Sequence, residues 1–323
     1  MSNAIGRIRL LGIAAQPTFG TAATVPSFVL PMLDAPTIET VVTKIRDEAA
    51  LGSAYGVDAV DNGNRFANIP ISVKLDEDQL PILYKQRYDI TTVTGSAGVF
   101  THSLAFTNNT NCWYTLFLED DNRETYVVRD ALFDSLNITA DQEYIRLEGN
   151  AVGHYPVVST ANLTVKQPKT FLGSNANFFY GDYGGAKTAY KTLAFNLNHT
   201  FGLSDEGDNF FLGSQDLGNH VLTQDEYMYE FTGLESDRTN YDDFTANTKK
   251  HFDFVLTTTR TITGSSVTPQ ITFNVPVAAL ETWSEDVPLD QLVKETFGLL
   301  ALDEVGVTNA PLKITVINNT SSY

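Results

Sequence analysis

The stretch NIPISVKLDEDQLPILYKQRY, Asn68 to Tyr88, changes its hydrophobic period halfway along. Ile69, Ile71, Val73 and Leu75 alternate with Pro70, Ser72 and Lys74, the period of two of a half-buried strand. Leu80, Leu83, Tyr84 and Arg87 then recur at helical spacing and predict one apolar stripe about three turns long. Asp76, Glu77 and Asp78 supply N-cap candidates and place negative charge where a helix dipole favours it. Pro81 falls in the first turn, where a missing N–H costs little. The expectation is a strand that runs straight into a capped helix.

The same change of period recurs downstream. Tyr227, Tyr229 and Phe231 alternate in a strand, and Arg238 to Thr248 reads as a helix with Tyr241 and Phe244 on its packing face and Ser236 or Asp237 as cap. The helices are offset by about 160 residues, roughly one domain length. Each half then reads as strand, long loop, strand, helix and a run of four or five strands. The first half has a strand at 37–45, a Gly-, Ala-, Asp- and Asn-rich loop at 46–66, and strands at 99–106, 113–118, 125–128, 132–138 and 144–152. The second has strands at 188–201, 251–260, 270–280, 289–302 and 312–318, with its loop at 202–220. Residues 1–36, punctuated by Pro17, Pro26, Pro31 and Pro36, read as an extended arm outside the core. The division expected is arm 1–36, first domain 37–157, connection 158–187 and second domain 188–323.

Net charge is −18, from 39 acidic and 21 basic side chains. Residues 1–165 hold 19 acidic and 11 basic, and residues 166–323 hold 20 and 10, so the excess is spread over both halves. Such a surface repels nucleic acid and anionic membranes, because phosphate binding needs clustered Lys and Arg. It does not exclude a surface past which DNA slides without sticking. The single cysteine, Cys112, excludes an intramolecular disulfide. The apolar run Leu10–Ala15 is short for a signal peptide, and no stretch approaches the ~20 apolar residues of a membrane span.

Catalytic and metal patterns are weak. His102, His154, His199, His220 and His251 are never four residues apart and have no cysteine neighbours, so they read as isolated surface or strand residues. Asp205, Glu206 and Asp208 lack the spacing of a calcium loop, since Gly207 comes early and a chelating Glu is missing. No phosphate loop, GxSxG elbow or Cys/His constellation is seen. With 39 carboxylates, finding a pair for glycoside chemistry carries no information. No enzyme activity and no cofactor are expected.

The arm GIAAQPTFGTAAT (Gly12 to Thr24) with FVLPMLDAPTIET, the loop opening at Arg46-Asp47-Glu48 and closing near Arg65, the strand–helix unit, and the run from Trp113 to Pro156 together resemble phage tail tube proteins, the major tail proteins of long non-contractile tails. The form with two fused tube domains is the nearer resemblance. It implies a mainly β fold of two tandem β-sandwich domains, each with a flanking helix and a long loop. The first helix would clamp the outer side of one sandwich through Leu80, Leu83 and Tyr84. The resemblance further implies homotrimeric, pseudo-hexameric rings, or alternatively hexamers, stacked into a hollow virion tail tube. Tape measure and tail terminator or tip proteins would be partners, and DNA would pass without specific binding. A further decoration domain is not expected, because the chain stops at Tyr323. The long loops, carrying Arg46, Asp47, Glu48, Asp58, Asp61 and Arg65 in one half and Asp205, Glu206 and Asp208 in the other, are expected to bridge stacked rings. The alternative is a viral baseplate or receptor-binding β-module, which would form a closed particle around a localised pocket.

Overall fold

Among the residues that the computed structural model describes (9–16, 18–47, 59–95, 98–120, 124–140, 144–164, 169–204, 209–212, 214–218, 220–234, 238–287, 292–303 and 310–323), the protein is mainly β, with one large antiparallel ladder network and two short helices. The first half holds β1 (Arg9–Gln16), β2 (Phe28–Leu30), β3 (Glu39–Asp47), β4 (Ala59–Lys74), α1 (Leu80–Tyr84), β5 (Tyr88–Thr94), β6 (Phe100–Phe106), β7 (Trp113–Asp120), β8 (Thr125–Ala140), β9 (Arg146–Gly153) and β10 (Val157–Ser159). The second holds β11 (Ala176–Asp182), β12 (Thr188–Tyr190), β13 (Thr192–Leu203), β14 (Leu222–Leu234), α2 (Thr239–Ala246), β15 (Lys250–Thr257), β16 (Gln270–Asp286), β17 (Lys294–Ala301) and β18 (Lys313–Asn318).

Three layers follow from the pairings. A central sheet runs β3-β4-β9-β8-β13-β14-β17-β16. One flanking sheet runs β2-β1-β7-β8-β10, the other β12-β11-β15-β16-β18-β6-β5. The long strands β8 and β16 each serve two layers, pairing with a flanking sheet by their first half and with the central sheet by their second. The layers close on apolar side chains. Phe178 of β11 stacks on Phe231 of β14 at 3.8 Å, and Phe195 of β13 meets Phe254 of β15 at 4.2 Å.

The pairings of the two halves carry the same irregularities. Leu116 pairs with Val128 and Tyr114 with Ala131, so three steps of β8 oppose two of β7; Phe252 with Val275 and Lys250 with Ala278 repeat that bulge. The β8–β9 ladder shifts between Phe133 and Ser135, and the β16–β17 ladder between Leu280 and Thr282. Val42–Arg65 followed by Lys44–Asn62 is matched by Phe201–Asp225 followed by Leu203–Leu222. Leu11–Leu30 is matched by Phe178–Tyr190. Counterparts are therefore defined by register: β8 and β16 differ by 147 in residue number, β3 and β13 by 159, and β4 and β14 by 160. The hairpin β5–β6, inserted after α1, has no counterpart after α2.

Several expectations are corrected. The arm carries β1, which pairs along its length with β7 and buries Leu11, Ile13 and Ala14. The prolines at 17, 26, 31 and 36 spare this segment, so its N–H groups are available for the ladder. The loop expected at 46–66 is the end of a hairpin: β3 runs to Asp47 and β4 begins at Ala59. The sequence AVDNGNRF has low β-propensity, and the ladder offered by β3 overrides it. The stretch 158–187, expected as a connection, contains β11, whose Phe178 and Tyr180 are buried. Residues 125–138 form one strand, with Asp130 at φ 53° where the sequence suggested a break. The strand β5 was not expected at all.

The opening helix differs most. It spans five residues, with Pro81 in its first turn and Gln79 as an N-cap without a side-chain cap bond. Leu80, Leu83 and Tyr84 are buried, not against the outside of one sandwich but between the halves. Tyr84 hydrogen-bonds His199 Nδ1 and meets Phe201 edge-on at 6.1 Å, both from β13. Asp76 and Glu77 are buried too. Asp76 accepts the backbone N–H groups of Asp78 (2.9 Å) and Lys169; Glu77 pairs with Lys169 (3.1 Å) and Arg260. The acidic run is thus a tie across the halves rather than a helix cap. Desolvation raises the carboxyl pKa of both residues despite these partners. In the second half, Tyr241 packs on Trp283 at 4.9 Å and Phe244 is half-buried against the core. The expected caps Ser236 and Asp237 lie outside the described residues.

Candidate functional site

The feature with chemical character is one face of the central sheet together with its two ends. Residues pointing into the layers are apolar: Ile69, Ile71, Val73, Leu136, Ile138, Leu197 and Phe231 are all buried. Because side chains alternate across a strand, their neighbours share the opposite face. That face is largely polar along its rungs. One rung runs Lys74, Arg146, Thr139, Asn196, Glu230, Gly298 and Thr282 across seven strands. The next runs Ser72, Glu148, Asn137, Asn198, Met228 and Leu300. Neutral amides and hydroxyls occupy its middle, with Glu148, Glu226 and Glu230 exposed. Among the described residues no flanking layer covers this face.

The halves meet in the middle of that sheet. The second half of β8 pairs with β13 over Ser135–Thr200, Leu136–His199, Asn137–Asn198, Ile138–Leu197, Thr139–Asn196 and Ala140–Phe195. The counterparts of these two edges sit at the two ends of the sheet. One is residues 282–287, of which all but the half-buried Trp283 are exposed; the other is residues 36–41. Neither of these edges has a further strand beside it among the described residues. An open edge with unpaired N–H and C=O groups is a template for another strand.

The residues expected to bridge rings are only partly placed. Arg46 and Asp61 are exposed near the end of the β3–β4 hairpin, and Asp47 ends β3. Glu48, Asp58, Asp205, Glu206 and Asp208 lie outside the described residues. Arg65 is not on a free loop. Its Nε is 2.6 Å from Asp216 Oδ1, and its backbone N–H donates to Gln215 O at 2.8 Å, so the second long loop is held against the base of the first hairpin. The Arg65 hydrogen bond lowers the Asp216 carboxyl pKa. This pair is about one-third exposed on each side and adds little stability. Beyond it, Phe211 and Leu212 project from the loop, Leu212 fully exposed.

Of the histidines expected on the surface or in strands, His102, His199 and His251 lie in strands; His102, His154, His199 and His220 are buried, and His251 is partly open. Desolvation pushes the His199 imidazole down to about 3 and His220 to about 4, so both are neutral in the fold. Cys112 is buried, and its thiol is pushed up to about 12. Among the described residues no three His, Cys, Asp or Glu side chains group as a metal site. A cavity of about 530 Å³ near the C-terminus is walled by Asp76, Asp78 and Lys169. These are already bonded to one another, and Asp78 also accepts from Thr320 Oγ1 at 2.8 Å.

The features that sequence reasoning missed are the junction of β8 with β13 and the two open edges. Their only sequence signal is the amphipathic alternation within each strand, which does not say which strand lies beside which. Compared with models of known protein families and with curated proteins, the chain matches none.

Proposed function

We propose that this chain is a structural subunit that joins copies of itself edge to edge into rings, which stack as the hollow tail tube of a phage, with DNA passing through. The observation that carries this reading is the β8–β13 junction, whose counterpart edges stand open at opposite ends of the same sheet. Each chain then holds two copies of one tube domain. The contact between copies repeats the contact within one chain, a heterologous interface that closes into a ring when the rotation permits. Three chains give six units per ring. The polar face of the central sheet lines the bore, where Asn, Thr and Glu side chains fill most of the rungs and the cations Lys74 and Arg146 stand together at one end of a single rung.

The register is specific enough to test. Counterpart positions place Glu39 of one copy opposite Ser284 of the next, as Asn198 lies opposite Asn137. Directly opposed Cα atoms in antiparallel strands are about 4.5–5.5 Å apart, within disulfide reach. Mixing a Glu39→Cys chain with a Ser284→Cys chain and oxidising should give a covalent dimer, on a background where Cys112 is buried. Electron microscopy of the wild-type protein should show stacked hollow rings. Discrete closed particles without this cross-link would favour the baseplate or receptor-binding alternative.

The hairpin β3–β4 gives a second test. Because 59–62 belong to the ladder, the segment to remove is 50–57. Its deletion should leave the subunit folded and the rings intact, while tubes no longer elongate. Tubes of normal length would remove the hairpin from ring stacking.

A further inference from the structure

The first half has a cavity of about 420 Å³ between its two layers, lined by Ile38, Thr40, Leu118, Asp120, Tyr126 and Tyr155 among others. Its counterpart in the second half is closed. The positions matching Ile38, Thr40, Leu118 and Tyr126 are Leu197, His199, Phe254 and Phe273, and all four are fully buried. By contrast Thr40 is exposed, and Ile38 and Tyr126 are half-buried. What covers the second-half site is α1 of the first half. Tyr84 hydrogen-bonds His199, with the rings edge-on at 5.4 Å.

From this difference we infer that the cavity is the receptor for helix α2 of a second copy of this chain, with Phe244 entering beside Thr40. This rests on the edge-to-edge reading above and names the side-chain contact that accompanies it. The strands that precede the two helices indicate the occupant. The offset of 160 that relates β4 to β14 carries Leu80–Tyr84 onto residues 240–244, inside α2, and puts Phe244 where Tyr84 stands. Phe244 is half-buried in its own chain, so an aromatic surface remains to be covered. Tyr241, one turn back, sits at the same end of the chain as the open edge of β16, against Trp283. When an edge at 282–287 pairs with residues 36–41 of the next copy, α2 is carried to the mouth of that copy's cavity, as α1 is carried to the second half within one chain. A cavity closed by a neighbour's aromatic side chain is a common anchor of protein interfaces.

The test places the photo-reactive residue p-benzoyl-phenylalanine at position 244 of the full chain. Irradiation of assembled protein should give dimers on a denaturing gel, with the cross-link mapping to the segment containing Ile38 and Thr40 or to that containing Tyr126. A Thr40→Trp variant, filling the cavity from an exposed position, should keep the wild-type thermal midpoint of the unassembled subunit. It should raise the concentration needed for assembly roughly tenfold or more, as loss of an anchor residue does. Rings cross-linked through 39 and 284, but with no dimer from position 244 and normal assembly of Thr40→Trp, would overturn this inference and leave the tube reading standing. Absence of both rings and the 39–284 cross-link would overturn the tube reading and this inference with it.

Discussion

Replacing Asp225 with alanine is expected to cost about 3–5 kcal/mol of folding free energy, the loss typical when one partner of a buried ion pair is removed. Arg87 lies just after α1 in the first half and Asp225 lies in β14 of the second. Their side chains are 4% and 2% exposed, and Nε to Oδ2 is 2.7 Å. The guanidinium also donates to the Thr223 carbonyl at 2.6 Å, and Tyr227 OH donates to Asp225 at 2.9 Å. Desolvation raises the Asp225 carboxyl pKa even against this attraction. The pair therefore contributes little net stability when intact, and its disruption leaves a buried charge unpaired. Asp225→Asn keeps the shape and the acceptor oxygen and should lose less. Urea denaturation of the three proteins measures this. A loss below about 1 kcal/mol for the alanine variant would show that Arg87 reaches solvent, contrary to its burial. Because the pair joins the halves, the alanine variant should also unfold with a lower slope if the halves separate before they melt.

Acidification from pH 7 to pH 5 should destabilise the subunit by about 4 kcal/mol. The sign follows from which state binds protons. An unfolded histidine takes up a proton near pH 6.5, whereas His199 and His220 in the fold do so only near 3 and 4. Between these values the unfolded state holds more protons, so stability falls as pH drops and levels off below the folded values. At pH 5 each contributes about 2 kcal/mol at ~1.4 kcal/mol per pH unit. His102 and His154 are shifted in the same direction. Asp76, Glu77 and Asp225 act oppositely, since their raised pKa values let the fold take up protons first as pH falls toward the ordinary carboxyl range. Their uptake begins at the raised folded values, above the ordinary carboxyl range, and offsets part of the histidine loss. Denaturation curves at pH 7, 6 and 5 should show the slope, and His199→Gln should remove about half of it. An unchanged midpoint across this range would mean that the two imidazoles are hydrated in the fold. Against a typical stability of about 5–15 kcal/mol, such a loss is a large part of the whole.

Much of the strand content was readable because alternation is local. The segments around 69–75, 100–106, 146–152, 227–231 and 270–280 announce themselves through side chains two residues apart, and each is a strand in the structure. Where the sequence did not announce a strand, as in AVDNGNRF at 59–66 or NFFYGD at 177–182, the ladder offered by a partner strand, β3 in the same hairpin or the distant β15, decided the matter. The histidines illustrate the limit for sites. Nothing beside His199 in sequence shows that Tyr84, 115 positions away, reaches its ring nitrogen.

For Asn68–Tyr88 the sequence by itself determined that a strand passes into a helix with an apolar face, though not that the helix is only five residues long, since hydrophobic period depends only on neighbours along the chain. It also determined that a similar unit recurs near residue 230, and that the surface is acidic. Only the tertiary structure decided that the helix lies between the halves, that Asp76 and Glu77 tie those halves together, and that β8 pairs with β13 while the matching edges stay open. Those outcomes depend on which distant segments share an edge or a face. Hydrogen bonds between strands are chemically alike everywhere, so the choice among them is made by the packing of the layers and not by any local run of residues.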